Sequence, residues 1–176
     1  MTEILNKLKG GDRRSIGKVD DIVRTVLEQP DLFETLFNGM LSDDALMRMR
    51  AADAVEKITR TRPDLLQPHK QKMMDQVAPI NQQEVRWHVA QMLPRLALSA
   101  REQKKAVDIL LEFLNDKSKI VKTCCMQSLA ELAEQNRQIL PAVKDLLKEL
   151  TRTGSPAMKS RGRKLLDKLQ KSSENL

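Results

Sequence analysis

Apolar and polar positions alternate along the chain with the period of an amphipathic helix, and one twelve-residue pattern recurs four times. MRMRAADAVEKI from Met47, VRWHVAQMLPRL from Val85, VKTCCMQSLAEL from Val121 and MKSRGRKLLDKL from Met158 align without gaps, with starts 38, 36 and 37 residues apart. Each opens on an apolar residue. Four positions on stands a small or apolar residue: Ala51, Val89, Cys125 or Gly162. Eight and eleven positions on stand Val55 and Ile58, Leu93 and Leu96, Leu129 and Leu132, Leu166 and Leu169. At about 100° per residue these offsets fall within roughly 80° of one another, which is one stripe of a helix.

A polar break precedes each segment: Ser42-Asp43-Asp44, Asn81-Gln82-Gln83, Asn115-Asp116-Lys117-Ser118 and Gly154-Ser155-Pro156. These residues end helices and cap the next one. Ahead of each break lies a further amphipathic run, carrying in turn Leu36, Phe37, Met40 and Leu41; Met73, Met74 and Val77; Val107, Leu110, Leu111 and Leu114; Val143, Leu146, Leu147 and Leu150. Pro30, Pro63 and Pro141 stand at the starts of such runs, where a first helical turn tolerates proline. Each unit therefore reads as a helical hairpin. One hairpin cannot bury its own apolar stripe, so neighbours must stack.

The pattern resembles HEAT repeats, and LNDKSKIVKTCCMQSLAEL from Leu114 matches that motif best. The resemblance implies an all-α fold, a right-handed α-solenoid of four to five HEAT-like hairpins, with repeats at about 31–62, 63–99, 100–135 and 136–169. Residues 1–30 read as a degenerate N-terminal capping unit, with Ile16, Val19, Ile22, Val23 and Val26 on its second helix, and 170–176 as a frayed tail. The resemblance further implies that second helices line a concave inner surface. It also implies that the basic residue after the first apolar position joins the turn Asp in a ladder between repeats. Arg48, Arg86, Asp116 and Lys122 are the expected rungs.

Facing that inner surface at the second offset are Met49, Trp87, Thr123 and Ser160. Beside them come Arg50, His88 and Arg161 at the third offset, Gln91, and Lys57, Arg95 and Lys168 at the tenth. An exposed Trp marks binding surfaces, so Met49, Arg50, Trp87, His88, Gln91, Arg95 and Thr123 form the expected contact set for a protein or peptide partner. The alternative for Trp87 is that it leans over its neighbours and is largely covered.

Composition supports the helical reading. The 176 residues include three Phe, one Trp and no Tyr, too few aromatics for a compact β fold. The net charge of +7 is unevenly spread: residues 1–99 hold 15 basic against 14 acidic side chains, and residues 100–176 hold 16 against 10. Lys159, Arg161, Arg163, Lys164 and Lys168 make a basic patch near the C-terminus, either a solvated helix face or a site for nucleic acid or another anion. Binding of nucleic acid there is the second functional expectation.

Other chemistries find no support. His69 and His88 are the only histidines and have no Cys-x-x-Cys companion, so no metal site is expected. There is no phosphate loop and no cofactor motif, Gly10-Gly11 being read as a linker, and no convergent catalytic cluster, so an enzyme is not expected. Adjacent Cys124 and Cys125 point about 100° apart on a helix and read as free thiols of a reducing compartment. The opening MTEILNKLKGGDRR lacks an apolar targeting core and no run reaches the roughly 18 apolar residues of a membrane span, which places the expectation in the cytoplasm. The expected oligomeric state is a monomer or a weak dimer.

Overall fold

The computed structural model describes residues 3–9 and 18–174, and these are helical with no strand among them. Ile16 and the Gly10-Gly11 linker fall outside the described residues. The chain divides into two compact units, 1–97 and 98–176.

In the first unit, helix α1 spans Glu3–Asn6 and α2 spans Val19–Glu28, which buries Val19, Ile22 and Val26 while Val23 is half-buried. A 3₁₀ turn at Pro30–Leu32 leads into α3, Phe33–Asn38. Helix α4, Ala45–Thr59, starts at Asp44, whose carboxylate accepts from the Leu46 backbone N–H at 2.8 Å and satisfies one of the orphan donors of the first turn.

The next segment departs from the regular helix expected after Pro63. It is a 3₁₀ stretch at Pro63–His69, one α turn (α5, Lys70–Lys72) and a π-helical turn at Met73–Val77. Pro68 lies inside it, and a proline without an N–H breaks the α-helical ladder at that point. Met73, Met74 and Val77 are nonetheless buried. Helix α6, Gln83–Met92, tightens into a 3₁₀ turn at Leu93–Arg95 where Pro94 interrupts it. Successive second helices pack side by side, α2 on α4 and α4 on α6.

The second unit contains α7 (Ala100–Phe113), α8 (Lys119–Gln135), α9 (Leu140–Thr153) and α10 (Pro156–Glu174). A capping box opens α7: the Ser99 hydroxyl accepts from the Glu102 N–H, and Glu102 accepts from the Ser99 N–H at 2.7 Å. Ser118 caps α8 and itself donates its N–H to Asp116 at 2.8 Å. Helix α10 packs on both α8 and α9. It runs on to Glu174, so residues 170–174 continue a helix where a frayed tail was expected.

The repeated stripe is the core. All four residues at the fourth offset are buried, as are all four at the start and all four at the eleventh. The eighth offset holds in three units, but in α10 Leu165 takes the buried place and Leu166 is half-buried. Gly162 shows why the fourth offset is small: a Cβ there would lie 1.9 Å from Thr151 Oγ1 and 3.1 Å from Met126 Cε. On α7, Leu111 is 40% exposed and does not join the core.

Candidate functional site

The polar columns on the second helices connect neighbouring helices. In unit 1, Arg50 is 2% exposed and donates from Nη1 to the Leu8 carbonyl at 2.7 Å, tying α4 to the turn that follows α1. It therefore cannot present a cation on an open surface, and the expectation for Arg50 is corrected. Seven residues on, Lys57 Nζ lies 2.8 Å from Asp20 of α2 and 3.2 Å from Asp53 of its own helix.

The same two offsets on α6 hold His88 and Arg95, and both reach back to α4. His88 is 8% exposed, its Nε2 3.9 Å from Asp53 and its Nδ1 without a hydrogen-bond partner. Burial pushes the imidazole down to about 4, against a smaller opposing pull from Asp53. It is neutral and internal, so the surface role expected of His88 is corrected too. Arg95 donates from Nη1 to the Glu56 carbonyl at 2.7 Å and to Thr59 Oγ1 at 2.9 Å, and from Nη2 to the Glu56 carboxylate.

Glu56 is fully buried and is held from the other side by Arg60 at 2.6 and 2.9 Å. Burial alone would raise its carboxyl, but hydrogen bonds and attraction from Arg60 and Arg95 outweigh this and keep it below the ordinary value. Arg95 belongs to this buried pair rather than to a partner.

In unit 2 the rule recurs on α10. Arg161 donates to Gln127 of α8 at 2.9 Å, and Lys168 pairs with Glu134 of α8 at 2.7 Å. Offsets three and ten lie on one flank of a helix, the flank that faces the preceding second helix. Sequence reasoning missed these rungs. For Lys57, His88, Arg95, Arg161 and Lys168 the available signal was an acid or amide 34 to 39 residues upstream: Asp20, Asp53, Glu56, Gln127 and Glu134.

The expected ladder forms in part. Arg48 donates from Nε to Gln82 at 2.9 Å and from Nη1 to the Ser42 carbonyl at 2.7 Å, while Gln82 donates to the Ala45 carbonyl at 2.8 Å. Gln82 precedes α6 without capping it, and its longer side chain instead bridges two hairpins. Arg86 and Lys122 are half-buried; Lys122 makes no hydrogen bond or ion pair among the described residues, and Asp116 accepts from the Ser118 N–H in its own turn.

What remains open on unit 1 is smaller than expected. Met49, Trp87 and Gln91 are half-buried, and Gln91 donates to the Trp87 carbonyl on its own helix at 3.1 Å. Next to Met49 lies a cleft of about 170 Å³, lined also by Leu46, Arg48, Asn81, Gln82 and Glu84. On unit 2, Thr123 is half-buried and donates to the Lys119 carbonyl of its own helix at 2.7 Å. Lys159 is half-buried, whereas Arg161, Arg163, Lys164 and Lys168 are exposed. Among the described residues no cluster of three metal-ligating side chains occurs, and no helix is long and apolar enough to cross a membrane. Cys124 and Cys125 form no disulfide.

A family model for the HEAT repeat domain matches residues 6–169. The chain belongs to the HEAT-repeat family. No curated protein and no solved structure matches it in the corresponding comparisons. HEAT membership accounts for the paired helices and for the repeating columns, since each hairpin must satisfy its neighbour's flank as well as its own.

Proposed function

We propose that this HEAT-repeat protein is a non-catalytic scaffold that binds a protein or peptide through the second-helix face of unit 1. The observation that carries the reading is Trp87, half-buried on a helix whose other large apolar side chains are buried, at the same offset as half-buried Met49. A partly exposed indole is expensive to leave in water and is enriched where partners dock. With Arg50, His88 and Arg95 engaged between helices, Trp87, Met49 and the cleft beside Met49 are the contact residues of this proposal.

The test is affinity capture with the immobilised chain, native and Trp87→Ala, each checked for helix content by circular dichroism. The variant should stay folded and lose a captured protein that the native chain holds. A folded variant that holds the same partners with undiminished affinity would rule Trp87 out. A second reading takes the exposed cations of α10 as a phosphate-binding surface. Its mark would be duplex binding at about 50 mM salt that falls steeply as salt rises.

A further inference from the structure

Unit 2 carries a second surface, independent of Trp87. Arg161, Lys164, Lys168 and Lys171 follow one another along α10 at spacings of 3, 4 and 3 residues, and all four are exposed. That spacing sets them on one face of the helix over about 15 Å. Arg161 donates to the neutral Gln127 amide, Lys168 pairs with Glu134, and Lys164 and Lys171 pair with no acid among the described residues.

At the Glu134–Lys168 pair the stripe borders a cleft of about 250 Å³. Half-buried Leu140, over the buried Ala133 and Leu169, supplies its apolar lining, and Glu134, Arg137 and Ser172 supply the polar part, where Arg137 Nη2 donates to the Ser172 carbonyl at 3.1 Å. A row of four exposed cations, two of them without an acidic partner among the described residues, beside a partly apolar cleft is two-part chemistry.

We propose that this surface docks an acidic segment of a partner protein, its carboxylates along the α10 stripe and one aliphatic side chain in the cleft. Carboxylates at i, i+3 and i+7 of a helix repeat with the same rise as the stripe and can meet it in register. A single-stranded nucleic acid would need aromatic platforms for its bases, and the one aromatic residue of 98–176 is Phe113, 1% exposed. A duplex offers phosphates but no aliphatic side chain to enter the cleft.

The experiment is fluorescence anisotropy on the full chain at about 50 mM salt. Its probes are a helical peptide with Glu at the stripe's spacing and one Leu, the same peptide with that Leu replaced by Ser, and a short DNA duplex. The Leu peptide should bind most tightly, with the Ser peptide about tenfold weaker. Lys164→Glu with Lys171→Glu should weaken the Leu peptide by a further factor of about ten, both sites being exposed and the fold checked by circular dichroism. Trp87→Ala should leave this binding unchanged, which separates it from the surface of unit 1. Duplex binding as tight as the peptide's, equal binding of the Leu and Ser peptides, or indifference to the charge reversals would each overturn the proposal.

Discussion

His88 is a buried base that folding keeps neutral. Its imidazole titrates at about 4 in the folded chain against 6.5 unperturbed, so in an acid titration the unfolded state takes up its proton first. Stability therefore falls as pH drops from about 6.5 to about 4, by about 3 kcal/mol from this one group, and the loss stops below that window. Denaturant unfolding across that range should show the slope, and His88→Gln should remove most of it; an unchanged slope in the variant would assign the effect to other groups. Glu56 behaves in the opposite sense, because its lowered carboxyl contributes stability above its unperturbed 4.5 that is lost as pH falls further. Deleting its Arg95 partner leaves a buried carboxylate with one fewer donor, so Arg95→Ala should destabilise by about 3 kcal/mol in the same unfolding assay.

Helix packing rests on the repeated stripe, and Gly162 is its tightest point. Gly162→Ala places a methyl against Thr151, whose hydroxyl is held to the Leu147 carbonyl at 2.6 Å, and should destabilise by about 1 kcal/mol despite the gain in helix propensity. Adding Thr151→Ala should recover much of that loss in thermal melts; no recovery would mean that the contacts it leaves in place, Met126 Cε and the Cβ of residue 151, each 3.1 Å away, set the clash. Leu129→Ala, at a fully buried position, should cost about 2–5 kcal/mol. At this scale the sequence was legible where a residue faces its own hairpin: the caps at Asp44 and Ser118 and the apolar offsets follow from period and composition. It was misleading at offsets three and ten. A helical wheel gives an angle relative to a helix's own core but not what covers the flank, so Arg50, His88 and Arg95 read as an open surface. The segment around Pro68 was misread because its apolar period survives the change of helix type.

For the molecule as a whole, the distinction between charges that join hairpins and charges left for a partner decides how function is read. Membership of the HEAT-repeat family implies many such columns, and only the contacts separate the two kinds. In unit 1 most of the polar column is committed, which narrows the proposed contact to Trp87 and Met49; in unit 2 Lys164, Lys171 and Arg163 stay exposed on α10. The measurement that tests this division most directly is a double-mutant cycle on Glu56→Gln and Arg95→Gln by denaturant unfolding. If the column joins neighbouring hairpins, the two changes should couple by at least about 1 kcal/mol. If their effects simply add, to within about 0.5 kcal/mol, the pair does not hold α4 to α6 and the account is wrong.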